Sequence, residues 1–118
     1  MIGELQKLGL TVKEASIYLA ALELGIGSPV STIAKKAKIN RTTAYDILEN
    51  LVSKGLIITH KRKTLNLYEA LPPEKLTSYL REQSEKFAHL AEEAKNIVPE
   101  LKAHYRAGSD RPRVYFYE

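Results

Sequence analysis

The sequence predicts a mainly α-helical fold with a small β-hairpin: a winged helix-turn-helix followed by a long coiled-coil helix. Three observations support this fold class. Two helical stretches are separated by only three residues, Lys38, Ile39 and Asn40. Two short β-prone runs with a polar turn follow the second stretch directly. The C-terminal half then repeats apolar residues at alternating steps of four and three, which is the spacing of a coiled-coil seam.

The composition limits the classes to which the protein can belong. The chain has 118 residues, 44% of them hydrophobic, which suits one modest core and an extension. It has no cysteine, so a disulfide framework and zinc fingers are excluded. No apolar run approaches the roughly 20 residues of a membrane span, and the first residues lack a signal-peptide core. We therefore expect a cytoplasmic protein with no membrane partner, no metal and no other cofactor.

The first strong helix is predicted within LTVKEASIYLAALELG. Thr11 can cap it, and Glu14 stands three residues later, which is the spacing of a reciprocal capping box. Gly25 and Gly27 are expected to end it. One apolar stripe is expected to face the core: Ala15, Tyr18, Leu19, Leu22 and Ile26.

The second helix is short and basic on its outer side. Ser28 and Pro29 are a suitable cap and first-turn pair. Its inward residues are expected to be Val30, Ile33, Ala34 and Ala37, and its outward lysines Lys35, Lys36 and Lys38.

The third helix is predicted over about residues 41–54, between a cap at Asn40 and a stop at Gly55. Its buried stripe is expected to be Ala44, Ile47, Leu48 and Leu51. The polar side chains at its start then point away from the core. Residues 56–60 and 65–70 are expected to form the hairpin strands, and residues 61–64 its turn.

A basic surface around this third helix indicates a polyanion partner. Between residues 31 and 63 eight bases stand against two acids, a net charge of +6. In a helix-turn-helix the start of the second helix approaches base edges in the major groove, and a basic wing contacts the backbone or minor groove. We therefore predict double-stranded DNA as the partner. The predicted contact residues are Lys35, Lys36, Lys38, Asn40, Arg41, Thr42, Thr43, Tyr45, Lys61, Arg62 and Lys63.

Three other functions compete with DNA binding. Winged helices also serve as protein-interaction adaptors, and Asp46 and Glu49 on the exposed face of the third helix would repel phosphate at close range. Catalysis has little support, because the three histidines are scattered and no carboxylate cluster or phosphate-binding glycine loop accompanies them. RNA binding is less favoured, since the hairpin lacks an aromatic stacking platform. We therefore expect that the protein is not an enzyme.

The C-terminal helix is predicted to dimerise the protein. Its seam begins at Leu76 and ends at His104, and its core positions are Leu80, Gln83, Phe87, Leu90, Ala94, Ile97 and Leu101. The alternative is a helix that folds back on its own domain through Leu76 and Leu80. Pro99 is expected to bend or weaken the helix. The flanking charges leave both parallel and antiparallel pairing open.

Three segments carry a family resemblance: LGLTVKEASIYLAALELG, IAKKAKINRTTAYDILENLVSKGLI and YEALPPEKL. They resemble, in order and spacing, the N-terminal domain of the TrmB family of sugar-responsive transcriptional regulators. The resemblance implies a winged-helix DNA reader, a coiled-coil dimerisation arm and often a C-terminal effector domain that binds sugars. The wing sequence HKRKTLNLY departs from the family pattern, in which Gly and Pro are common near the tip.

The resemblance also indicates the domain organisation. We expect a winged-helix domain at residues 1–71, a dimerisation helix at 72–105 and a tail at 106–118. The tail contains a β-prone run, Val114 to Tyr117, which resembles the opening strand of the effector domain and suggests a fragment or a short regulator. Because the rest of that domain does not follow, we expect no effector ligand on this chain alone.

Overall fold

The computed structural model of the protein describes residues 1–108. Its elements in chain order are α1 (Ile2–Lys7), α2 (Val12–Leu24), α3 (Val30–Ala37), α4 (Arg41–Ser53), β1 (Ile57–Arg62), β2 (Leu65–Ala70) and α5 (Glu74–Ala107). Met1–Leu80 forms one compact unit, and Arg81 begins a second. Helices followed by a two-stranded antiparallel hairpin and a long helix confirm the predicted fold class.

The capping box predicted for α2 is present. The Thr11 hydroxyl accepts a hydrogen bond from the Glu14 amide at 3.1 Å, and the Glu14 carboxylate accepts one from the Thr11 amide at 2.8 Å. The predicted stripe was too narrow, because α2 contacts α1, α3, α4 and β2 and so buries several sides. Ile17 is fully buried, whereas Ile26 lies beyond the helix end at Gly25 and is 72% exposed.

The start of α3 differs from the prediction. Pro29, not Ser28, occupies the cap position, and no side chain caps the helix. Ser28 instead pairs its backbone with Tyr68 of β2 through bonds of 3.0 and 2.8 Å. The Ser28 hydroxyl donates to the Ile26 carbonyl. The inward face is as predicted, with Ile33 and Ala34 buried.

Helix α4 confirms its predicted cap and stop. The Asn40 side-chain oxygen accepts a hydrogen bond from the Thr43 amide at 2.8 Å. Gly55, with φ of +77°, takes the left-handed conformation that terminates many helices. Three of the four predicted core residues of α4, Ala44, Leu48 and Leu51, are fully buried, and Ile47 is half-buried.

The hairpin turn is tighter than predicted. Lys61 pairs with Asn66 and Arg62 with Leu65, so both bases belong to β1, and only Lys63 and Thr64 form the turn. Lys63 has φ of +56°, a left-handed conformation that non-glycine residues adopt at some cost. The predicted turn at 61–64 was wrong because strand pairing continues two residues further than the β-prone run.

Helix α5 continues through Pro99 without interruption, and the bend or weakening expected there stays a prediction. In its first turns Leu76 and Tyr79 pack against the core of the first unit. The fold-back alternative named Leu76 and Leu80; the structure uses Leu76 and Tyr79. The predicted strand from Val114 to Tyr117 lies outside the described residues. Within residues 1–108, no helix is long and apolar enough to cross a membrane.

One buried hydroxyl leads to a stability prediction. Tyr18 is 1% exposed, and its hydroxyl has no hydrogen-bond partner among the described residues, which carries a desolvation cost. Tyr18→Phe should therefore raise the free energy of unfolding by about 1 kcal/mol, measured by urea denaturation. The matched control is Tyr68→Phe, which should lower it, because the Tyr68 hydroxyl donates to Glu49 at 2.6 Å. A loss of stability in Tyr18→Phe would contradict this interpretation.

Candidate nucleic-acid interface

The start of α4 presents the polar side chains that the sequence predicted. Arg41 and Thr42 are exposed, and Tyr45 is 46% exposed. Thr43 is half-buried, so it offers less of its surface than Thr42. Asn40 is exposed, but its side-chain oxygen already caps the helix. The structure therefore leaves Arg41, Thr42 and Tyr45 as the most accessible predicted contacts on α4.

An open cleft of about 420 Å³ joins the start of α4 to the hairpin. Arg41, Thr42 and Tyr45 line one side of it. Ser31 at the start of α3 and Asn66 of β2 line the others. Residues separated by more than twenty positions in the sequence thus meet on one surface. Its hydroxyl, amide and guanidinium groups can donate hydrogen bonds to phosphate and base edges.

The three lysines in and directly after α3 are exposed but differ in their surroundings. Lys35 and Lys36 line a shallow depression with Ser31 and Thr32. The ammonium group of Lys36 lies 3.5 Å from the Glu23 carboxylate, an exposed ion pair that partly offsets its charge. Lys38 is exposed in the turn before α4, with φ of +58°.

The three bases of the hairpin are not one cluster. Successive strand residues point to opposite faces, and directly paired residues share a face. Lys61 pairs with Asn66, so it lies on the face of Tyr68, whose hydroxyl contacts α4. Arg62 lies on the opposite face, and Lys63 is in the turn. The predicted turn at 61–64 would have placed all three bases at the tip, whereas the strand pairing distributes them along the hairpin.

A contact between Tyr68 and Glu49 was not predicted. The Tyr68 hydroxyl donates to the Glu49 carboxylate at 2.6 Å. Burial is the larger cause that raises the pKa of Tyr68, and this hydrogen bond raises it further. The contact ties one of the two acids on the outer side of α4 to the hairpin. Asp46 remains exposed. No local pattern could reveal the contact, because the residues are 19 positions apart.

A second unpredicted network holds the end of α4. The Glu14 carboxylate accepts hydrogen bonds from the Asn50 amide at 2.7 Å and from the Lys54 ammonium at 3.3 Å. Lys54 also lies over the Tyr79 ring, 5.7 Å from its centroid, a cation–π distance. The cap of α2, the end of α4 and the start of α5 are thus joined through Glu14 and Lys54.

The predicted seam of α5 is exposed in the single chain. Phe87, Leu90, Ile97 and Leu101 are between 41% and 61% exposed. Ala94 is exposed, and Leu80 and Gln83 are half-buried. Val98 and Tyr105 are further exposed apolar residues outside the predicted seam. Within residues 1–108, no group of three or more His, Asp or Glu side chains is arranged to hold a metal ion.

Comparisons with known proteins agree with this architecture. Residues 5–74 match the profile of a family described as the sugar-specific transcriptional regulator TrmB. The HTH-type sugar sensing transcriptional regulator TrmBL1 of Pyrococcus furiosus is 37% identical over 83 residues, which are 70% of this chain and 24% of that regulator. The chain therefore spans about a quarter of the length of this curated relative.

Two solved structures share the fold. TrmBL2, described as an archaeal chromatin protein with a novel mode of DNA binding, has a TM-score of 0.70 at 23% identity, over 97% of this chain and 43% of its own. A homodimeric winged helix-turn-helix DNA-binding domain from Mycobacterium bovis has a TM-score of 0.50 at 21% identity, over 75% of this chain and 81% of its own. At these identities the likeness concerns the fold alone.

Proposed function

The chain belongs to the TrmB family of sugar-specific transcriptional regulators, and from this premise we propose that it binds double-stranded DNA sequence-specifically as a dimer. One observation carries the proposal. The accessible polar start of α4 shares a cleft with the hairpin, and exposed lysines of α3 lie on a neighbouring surface. A helix placed in this way can enter the major groove while the hairpin lies along the backbone or minor groove.

We assign the base-reading role to Arg41 and Thr42. Arg41 has the forked donors that match guanine, and Thr42 offers a hydroxyl and a methyl group to base edges. Tyr45, at the edge of the same cleft, is suited to donate to a phosphate. Thr43 and Asn40 stay in the proposed contact set, with Asn40 acting through the helix cap.

The lysines and the wing arginine are assigned to phosphate contacts. Lys35 and Lys38 are exposed on the helix-turn-helix, and Lys61 lies on the hairpin face toward α4. Lys36 is expected to contribute less, because Glu23 shares its charge. Lys63 and Arg62 complete the proposed set, with Arg62 on the opposite face of the hairpin.

The proposal includes the predicted organisation of the chain. Residues 1–71 would bind DNA, residues 72–105 would pair two copies, and residues 106–118 would form a tail. The exposed apolar seam on α5 supports the pairing, since a helix in water normally buries such a stripe. We propose that the protein acts in the cytoplasm.

Selection from a random pool of DNA duplexes tests the proposed function directly. A symmetric dimer should enrich inverted repeats whose half-sites are separated by about 10 base pairs or a multiple. Failure to enrich any sequence, together with no duplex binding at low salt, would favour a protein-interaction adaptor. This second function is supported by Asp46 and Glu49 on the outer side of α4, because their carboxylates would repel phosphate at close range.

Base recognition and phosphate contact should be separable by mutation. Thr42→Ala should reduce the preference for the selected duplex over a scrambled one by about 1–3 kcal/mol, with nonspecific affinity retained. Lys61→Ala with Lys63→Ala should weaken binding to both duplexes and lower the log–log salt slope by about one per lost phosphate contact. Titrations at several salt concentrations measure both effects.

Matched controls come from exposed positions of α5. Lys95→Ala with Lys102→Ala removes the same charge from exposed positions of α5, and Thr77→Ala is the control for Thr42. These variants should leave both sequence preference and salt slope near those of the unmodified protein. If Thr42→Ala changed only the salt slope and the wing variant changed preference, the two assigned roles would be reversed.

A further inference from the structure

The structure limits which seam residues of α5 are available to a partner helix. Leu76, the first residue of the predicted seam, packs against the core of its own winged-helix unit. Leu76 is therefore not available to a partner helix. The remaining seam positions run from Leu80 to His104, and their midpoint is residue 92. Because the helix is continuous through Pro99, all of these positions lie on one unbroken helix.

We propose that two copies of α5 pair in antiparallel orientation, with the two-fold axis near residue 92; the proposal rests on the dimer inferred above. This register is the antiparallel one in which every seam position from Leu80 to His104 meets a seam position of the other copy. Phe87 then packs against the partner's Ile97, and Leu90 packs against the partner's Ala94.

Side-chain volumes favour this orientation. A parallel homodimer places each residue against its own copy, so Ala94 would meet the partner's Ala94 and Phe87 would meet the partner's Phe87. The first layer would leave a void and the second would be crowded, and both conditions destabilise a core. The antiparallel register combines a large residue with a small one at Leu90 and Ala94, and two large but unequal residues at Phe87 and Ile97.

The charges beside the seam favour it as well. Lys86, Glu93 and Glu100 each precede a seam residue and lie along the same flank of the helix. In an antiparallel pair this flank faces its own copy, so Lys86 lies beside the partner's Glu100, and symmetry makes this contact twice. One like-charge contact remains, Glu93 with the partner's Glu93. Within its own helix Glu93 is contacted by the His89 imidazole at 3.1 Å.

A parallel pair has no comparable contacts. Its flanking positions would meet the opposite flank of the partner, which consists of Ser84, Ala91, Val98 and Tyr105. None of these residues is Asp, Glu, Lys or Arg. In the antiparallel pair this second flank also faces its own copy, and Val98, which is 41% exposed in the single chain, lies beside the partner's Ser84.

Disulfide trapping distinguishes the two orientations, because the chain contains no cysteine. Leu90→Cys and Ala94→Cys chains, one of them carrying a size tag, are mixed, allowed to exchange and oxidised. A disulfide requires Cα atoms about 4.4–6.8 Å apart. Antiparallel pairing brings the two different cysteines into one layer, so we expect the crosslinked product to be almost entirely mixed. Products that join two identical chains would overturn the proposal, since only parallel pairing aligns like positions.

A distance measurement gives an independent readout and separates failure of the orientation from failure of the dimer. Ser78→Cys, an exposed position on α5, is spin-labelled for pulsed dipolar spectroscopy. The antiparallel register offsets the two labels by about 28 residues, or about 42 Å along the helices, whereas parallel helices would hold them about 20 Å apart. A distance near 20 Å would overturn the orientation alone. Absence of any intermolecular distance, with monomers by light scattering, would overturn the dimer.

Lys86 and Glu100 provide a matched charge test. Lys86→Glu should weaken the dimer several-fold, because it places two carboxylates beside each other at both symmetry-related contacts, and the Lys86→Glu with Glu100→Lys double variant should restore it. Lys102→Glu is the control at an outward position. Equal dimer affinity in the single and double variants would contradict the proposed register.

Discussion

Replacing Leu90 and Ile97 with aspartate is expected to convert the protein to monomers and to lower its affinity for a duplex with two half-sites by about 10²–10⁴-fold. Both residues are apolar, lie on the predicted seam and are substantially exposed in the single chain. Burying a carboxylate against an apolar partner helix is strongly unfavourable. Loss of the dimer then removes the second, effectively intramolecular, binding event, and the two winged domains bind separately.

Light scattering and duplex titrations measure this effect, and circular dichroism checks that the first unit stays folded. Ala88→Asp with Lys95→Asp adds the same side chains at exposed positions away from the seam and is the control. It should remain dimeric. A seam variant that stayed dimeric would show that α5 is not the main interface. A monomeric variant with undiminished affinity would show that the dimer does not contribute to DNA binding.

Replacing Glu14 with alanine is expected to cost about 2–4 kcal/mol of unfolding free energy, the largest effect of any single substitution considered. The change removes half of the capping box on α2, for which about 1 kcal/mol is typical. It also leaves Asn50 and Lys54 without their acceptor. Because the Lys54 side chain is only 21% exposed, water can replace the lost carboxylate only in part. Urea denaturation measures the loss. Glu23→Ala, which breaks an exposed ion pair, should cost under about 0.5 kcal/mol.

The Glu14 contacts also predict a pH dependence. Burial by itself raises the pKa of the Glu14 carboxyl, but the bonds from Thr11, Lys54 and Asn50, with the charge of Lys54, outweigh burial and hold the pKa below its ordinary value of 4.5. A carboxyl whose pKa is lower in the folded state stabilises the protein above its unfolded pKa, and this stability is lost as pH falls through the folded pKa.

Glu14→Gln isolates the charge, because glutamine keeps an oxygen for the cap. The difference in stability between the unmodified protein and this variant should therefore be greatest near neutral pH and should shrink below about pH 4.5. A difference that stayed constant down to the acid transition would show that the Glu14 charge does not contribute, and that the network is held by neutral hydrogen bonds.

Short-range patterns determined much of this protein. The capping box of Thr11 and Glu14, the Asn40 cap, the Gly55 stop and the buried stripe of α4 were predicted correctly. Each depends on hydrogen bonds or helical periodicity among residues a few positions apart, which the sequence displays directly. The spacing of the α5 seam is also a local pattern, but its pairing with a second helix stays a prediction.

Contacts between distant segments were decided only by the tertiary structure. Ser28 was predicted as a cap, but β2 lies close enough to pair with its backbone. The bonds from Tyr68 to Glu49 and from Lys54 to Glu14 join residues 19 and 40 positions apart. The hairpin register placed Lys61 and Arg62 on opposite faces. None of these follows from local periodicity, because packing of several elements around one core selects which polar groups come within hydrogen-bonding distance.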